Sequence, residues 1–174
     1  MNGGDAAARR GGHVLTKVVI LVAVLLLAVA ILYYMLYQMS QQQACGKNLQ
    51  QIHRALQLYE IDRGTLPRLA FFPDDAKQDR DSLRVVLEPY GADGTTCECP
   101  SLPDVLSELG LTYVWNVALN GKKTPRDDDS TWMLVEICAL TTDVPAPHMG
   151  QYNVLYTDGK VRRVKNPTQE LTGL

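Results

Sequence analysis

The run VVILVAVLLLAVAILYYMLY, Val18 to Tyr37, holds twenty residues without a charge, a proline or a glycine. At about 1.5 Å of rise per residue, a helix of that length spans the roughly 30 Å hydrocarbon layer of a bilayer. A buried helix of a soluble core is the alternative, but a run of this length and purity favours the membrane. Three tyrosines, Tyr33, Tyr34 and Tyr37, mark one end, where amphipathic rings favour the headgroup region.

Arg9, Arg10 and Lys17 precede the run, and the next charge after it is Lys47. The positive-inside rule therefore keeps the short N-terminus in the cytoplasm and sends the rest across. The apolar run is longer than a signal-peptide core and no A-x-A site follows it, so it is expected to stay as an anchor. The stretch QQAC at Gln42–Cys45 lacks the apolar residue that a lipoprotein cleavage site places three before its cysteine. Beyond the anchor there are fourteen basic and eighteen acidic residues, a net charge of −4. No basic stripe appears, which argues against a nucleic-acid partner.

The four cysteines are Cys45, Cys97, Cys99 and Cys138. Outside the cytoplasm disulfides are allowed, and four cysteines permit three pairings among which sequence cannot choose. A zinc site is the sharper alternative. The CEC of Cys97–Cys99 is too tight for a C-x₂₋₄-C knuckle, however, and no H-x₃₋₅-H follows.

After the anchor the chain turns amphipathic without a break. Cys45, Leu49, Ile52, Leu56 and Tyr59 recur at steps of three and four, one helical face. Gly64 supplies a C-terminal stop and Pro67 follows. One helix is thus expected from about Val14 to Arg63, half in lipid and half against a domain. His53 falls off the apolar stripe and is expected to face solvent. Asp81 or Ser82 should cap a short helix through Leu87, ended by Pro89; DVLSELG reads as a helical turn stopped by Gly110. LTYVWNVAL and STWMLVEICAL are rich in β-branched and aromatic residues and read as strands. QYNVLYT and KVRRVK flank Asp158-Gly159, a hairpin signal for a two-residue type I′ turn. That turn would pair Tyr156 with Val161, Val154 with Arg163 and Tyr152 with Lys165. The expected fold is α+β: a long N-terminal transmembrane and amphipathic helix packed on a small antiparallel β-sheet. Its divisions are a cytoplasmic N-terminus (1–17), a transmembrane helix (18–37), the outer half of the long helix (38–64), a head domain (65–166) and a tail (167–174).

At this level of detail the chain resembles the H-x₉-D-G group of bacterial type IV pilin-like proteins of the planctomycete type, related to type II secretion pseudopilins. ACGKNLQQIHRALQLYEIDRGTLP is similar to that group's helix segment, with Cys45, Asn48, Leu49, Gly64 and Pro67 at matching places. DSLRVVLEPY, the C-P-S of Cys99, Pro100 and Ser101, the strand ending in Glu136, and His148 with Asp158-Gly159 follow in order. The resemblance covers roughly residues 40 to 165. It implies a pilin-like fold, an inner-membrane anchor, a periplasmic head, and other pilin-like subunits or secretion components as partners beside membrane lipid. It also implies processing at Gly12, before His13. There the chain departs from the group's pattern: a histidine stands where an aromatic residue is usual. Lys17 occupies the fifth mature position, where an acid is thought to neutralise a neighbouring subunit's terminal amine. A lysine there reverses the charge in a low-dielectric place, and otherwise reads as a snorkelling flank.

A catalytic pairing of His148 with Asp158 is disfavoured, because Asp158 belongs to the turn and His148 lies several residues away from it. His148 is expected to fix its loop through a backbone or carboxylate hydrogen bond. Glu136, in an apolar strand, either faces water at the strand end or is buried with a partner such as His148 or Arg162. The acidic loop at Asp127, Asp128 and Asp129 could offer a hard cation oxygen ligands, but its spacing is not that of a calcium loop, and a solvated loop with no cofactor is the plainer expectation. No nucleophile motif, phosphate loop or cofactor fingerprint is present. The expected function is non-enzymatic: a structural subunit of a type II secretion or type IV pilus-like assembly. The alternative is a membrane-tethered periplasmic binding or scaffold protein that does not enter a filament.

Overall fold

The computed structural model describes residues 4–125, 130–141 and 144–165, with side chains from Leu15 onward. The chain divides into two compact units, Met1–Met39 and Ser40–Leu174. Helix α1 runs Gly4–Arg63. It begins earlier than the sequence reading places it, because Ala6, Ala7, Ala8, Arg9 and Arg10 are strong helix formers. In the first unit every side chain from Leu15 to Tyr37 is exposed. This is one helix long and apolar enough to cross a membrane, with a mean hydropathy of 3.0 in its best window.

In the second unit the stripe of α1 goes into the core. Cys45, Leu49, Ile52 and Leu56 are buried, and Tyr59 packs at the margin. Each large aliphatic side chain so placed contributes about 1.5–3 kcal/mol. The helix stops at Gly64, in the left-handed region (φ 82°), whose N–H donates to the Glu60 carbonyl at 2.8 Å. That bond satisfies a carbonyl the last turn would otherwise leave open.

Four strands, β1 (Tyr113–Trp115), β2 (Trp132–Glu136), β3 (Tyr152–Tyr156) and β4 (Val161–Val164), form an antiparallel sheet in the order β1-β2-β3-β4. Strands β1 to β3 are buried on both faces, while β4 at the edge is only half-buried. Tyr113, Trp115, Leu134 and Leu155 join the cluster that holds the α1 stripe. Val114, Trp132, Val135, Val154 and Tyr156 form a second cluster, against which Phe71 and Phe72 pack.

Both strand windows in the sequence prove longer than the strands. Asn116 ends β1: its side-chain oxygen accepts from Ala118 N–H at 3.1 Å, and its amide donates to the Trp132 carbonyl at 2.8 Å. That bonding turns Val117–Leu119 into a 3₁₀ turn. Beyond Glu136, Ile137 donates to the Thr112 carbonyl at 2.9 Å and Ile137–Leu140 coils into another 3₁₀ turn. The short helices α2 (Leu83–Leu87) and α3 (Asp104–Ser107) fall where expected. Ser82 precedes α2 without a side-chain cap, its hydroxyl donating instead to the Ala76 carbonyl at 2.6 Å. Pro89 does not end the coil, which continues as a 3₁₀ turn over Glu88–Tyr90.

The terminal hairpin differs from its expected register by one residue. Leu155 pairs with Val161, Val154 with Arg162 and Tyr152 with Val164. A type I′ turn needs positive φ at both central residues, and only Gly159 has it (φ 77°). The loop is therefore Thr157-Asp158-Gly159, closed by Gly159 N–H to the Tyr156 carbonyl at 2.9 Å and Tyr156 N–H to the Lys160 carbonyl at 3.1 Å, with the left-handed glycine third as in a bulged three-residue loop. The shift brings Arg162 onto the Tyr156 ring, 4.3 Å from its centroid, and within 2.8 Å of Asp158.

Gly159 also makes room for α1. A Cβ at this position would stand 2.6 Å from His53 Cε1. His53, expected in solvent, is thus half-buried beside the hairpin loop, because the missing side chain leaves a space its ring occupies. Burial pushes its pKa below 6.5, against an opposing pull from Asp158 and a bond to the Thr157 backbone.

Two outcomes follow from this contact. Gly159→Ala should destabilise the detergent-solubilised protein by more than Gly64→Ala. Both pay the left-handed backbone cost of about 1–2 kcal/mol, but only Gly159 meets a neighbour, since nothing lies within 4 Å of the Gly64 position. Equal losses in denaturant titration would show that His53 yields freely. Second, because the unfolded chain protonates His53 more readily than the folded one, stability should fall as pH drops from above 6.5 through the folded midpoint. His53→Gln should flatten that part of the stability–pH curve; a slope unchanged by the substitution would assign it to other groups.

Candidate functional site

Four residues from four separate elements meet in the core of the second unit. Cys45 comes from α1, Cys99 from the loop before α3, Glu136 from the last position of β2, and His148 from the turn before β3. All four are buried, and their ligand atoms lie within 4.8 Å of one another. Cys45 and Cys99 form a disulfide with Cα atoms 4.9 Å apart, across a separation of 54 residues. Closing a loop of that size removes about 4 kcal/mol of chain entropy from the unfolded state. None of the three complete pairings open to the sequence is formed: Cys45 and Cys99 are bonded, and Cys97 and Cys138 are free and buried.

Glu136 Oε1 is 2.6 Å from His148 Nε2, both side chains fully enclosed. Tyr113, opposite Glu136 in the ladder, belongs to the cluster that includes the α1 stripe, so the Glu136 carboxylate points into that core rather than to water. A buried carboxylate needs donors, and Asn153 supplies two more. Its N–H reaches Oε2 at 3.1 Å and its side-chain amide reaches Oε1 at 3.2 Å. The Cys99 sulfur lies 3.5 Å from Glu136 Oε1 and 3.6 Å from His148 Nε2; in the disulfide it has no proton, so the approach to Oε1 is not a hydrogen bond. His148 Nδ1 is buried without a hydrogen-bond partner among the described residues.

A tight turn aims the His148 ring. His148 and Gln151 exchange backbone bonds at 3.2 Å each way, and Met149 (φ 55°) and Gly150 (φ 82°) both lie in the left-handed region. Positive φ at both central positions is the type I′ requirement, met here and not at Asp158-Gly159.

The other residues singled out in the sequence fall around this junction or away from it. The Asn48 amide donates to the Thr95 and Glu98 carbonyls at 3.1 and 2.8 Å, fastening the Cys99 loop to α1. Leu49 and Pro67 are buried, while Pro100 is exposed. Asp158 bonds Lys160 and Arg162 and not His148; although burial opposes it, hydrogen bonds from Lys160 and the nearby cations hold its carboxyl below the ordinary range. Arg162, the other partner considered for Glu136, is thereby accounted for. Gly12 and His13 lie within the backbone of α1, and Lys17 is exposed on it. Asp127, Asp128 and Asp129 lie outside the described residues. Asn153 was missed by the sequence reading; the signal for it was a lone amide in the apolar strand YNVLY. Burial pushes the Cys97 and Cys138 thiols up to about 12 each.

No protein-family model, no curated protein and no solved structure matches this chain.

The junction makes a coupling prediction. His148→Ala leaves Glu136 charged and enclosed with Asn153 as its donor among the described residues, and should cost about 3–5 kcal/mol. Adding Glu136→Gln in that background removes the unpaired charge and should recover stability, whereas Glu136→Gln alone should be destabilising. A double-mutant cycle by denaturant unfolding reads the difference; additive effects would mean the two side chains are not coupled.

Proposed function

We propose that the chain is a non-enzymatic, single-pass membrane protein of pilin-like build. It would be a structural subunit of a type II secretion or type IV pilus-like assembly, anchored in the inner membrane with its head in the periplasm. The observation that carries this reading is the two-part character of α1. From Leu15 to Tyr37 its side chains are all exposed, as they would be facing lipid or neighbouring apolar helices. From Cys45 on, a single stripe is buried against a small sheet. Helix–helix packing in the bilayer would join subunits, and head loops would select partners. The disulfide supports an oxidising compartment for the head. The full enclosure of Glu136 and His148 supports a structural role for them, since a general acid or base must reach its substrate.

Lys17 favours a second reading. An exposed lysine on α1, where a filament subunit would carry an acid, suits a tethered periplasmic scaffold that stays out of filaments. The N-terminus and intact mass of the protein from native membranes separate the two. A chain beginning at methylated His13 is the result expected for an assembled subunit. A chain beginning at Met1 or Asn2 would replace that reading with the tether.

A further inference from the structure

We propose that the reduced head binds one Zn²⁺ ion through Cys45, Cys99, Glu136 and His148, in place of the disulfide. The donor set is two thiolates, an imidazole and a carboxylate, a combination that suits zinc. Two of its six edges already have the required length, and the Cys45 sulfur lies within 4.8 Å of the other donors. With zinc bonds of about 2.3 Å to sulfur and 2.0–2.1 Å to nitrogen and oxygen, a tetrahedral site needs sulfur-to-nitrogen and sulfur-to-oxygen edges of about 3.6 Å. The Cys99 sulfur stands 3.6 Å from His148 Nε2 and 3.5 Å from Glu136 Oε1. Two edges must open: the sulfur pair, once the disulfide is broken, to about 3.8 Å, and the 2.6 Å Nε2–Oε1 edge to about 3.3 Å. Zinc sites use outer bonds to hold their ligands, and the two Asn153 donors already hold the Glu136 carboxylate. The Cys99 backbone is fixed likewise, its N–H donating to Thr112 Oγ1 at 2.7 Å.

The disulfide and the metal site exclude one another, because both use the same two sulfurs. A dithiol reductant breaks the Cys45–Cys99 bond, delivers two electrons and two protons to give two thiols, and becomes a disulfide itself. Zn²⁺ then displaces both thiol protons to solvent. The Nε2 proton moves to Nδ1, which has no hydrogen-bond partner among the described residues in the disulfide form, leaving the Nε2 lone pair for the metal. Zn²⁺, two thiolates, the Glu136 carboxylate and a neutral imidazole sum to a net charge of −1.

The test uses the full chain in detergent. It is reduced with a phosphine, unfolded, and refolded without oxygen in the presence of either Zn²⁺ or Co²⁺. The expected result is one zinc per reduced chain, a two-sulfur shell by X-ray absorption, the tetrahedral thiolate spectrum with cobalt, and no uptake by the oxidised chain. Binding should be kept in the Cys97→Ser/Cys138→Ser variant and lost in Cys45→Ser. His148→Gln, which retains the disulfide as a check that its oxidised form folds, should lose it too. Failure of the reduced wild-type chain to refold with zinc would overturn the proposal. So would zinc retained by Cys45→Ser or His148→Gln, or binding that vanishes with Cys97 and Cys138.

Discussion

A carboxylate with no water around it must be surrounded by donors, and the head of this protein is arranged about that need. Glu136 closes β2, so whatever satisfies it has to come from elsewhere in the chain. His148 arrives on a strained two-residue turn and Asn153 from the following strand, and both fix β3 beside β2. The disulfide next to them fastens α1 to the loop that carries Cys99. Helix, loop, sheet and turn thus share one enclosed point. An apolar core of the same size could be more stable, but it would accept neighbouring registers more readily. The polar junction accepts one arrangement, which is a reason for a small sheet to keep it.

The second coupling point is steric. Gly159, through its absent side chain, lets His53 of α1 meet the hairpin loop. The helix is therefore held at Cys45 by a covalent bond, at Asn48 by two hydrogen bonds to the Cys99 loop, and at His53 by a fitted contact. Between them Leu49 and Ile52 supply burial. The division of labour is economical: apolar residues give the head its stability, while a glycine, a disulfide and buried hydrogen bonds set its geometry.

Much of this was legible in the sequence, and the reasons differ by element. The apolar run and the stripe from Cys45 to Tyr59 are periodic signals, local and strong, and α1 ends at Arg63 as Gly64 indicates. The order and type of the four strands follow from β-branched and aromatic runs. Their ends did not, because Asn116 breaks β1 through one local bond, from Ala118, and one to the distant Trp132 carbonyl. The hairpin register failed for a related reason: Asp-Gly serves either a two-residue turn or a bulged three-residue one, and the choice rests on the φ of Asp158. Glu136 and His148 could be suspected as partners from an acid stranded among apolar neighbours. Their convergence with Cys45 and Cys99 could not be read from spacing, since the four come from separate elements.

Cys97 lies two residues from Cys99 and so competes with it for Cys45 while the chain is still open. In the finished fold the competitor is disarmed. With the Cys97 thiol pushed up to about 12, only about one molecule in 10⁵ carries the attacking thiolate at neutral pH. Thiol–disulfide exchange needs that thiolate. The pairing is therefore chosen during folding, when the thiols are still ordinary, and then held by kinetics. A head that reaches its final fold has lost the means to shuffle its own crosslink from within.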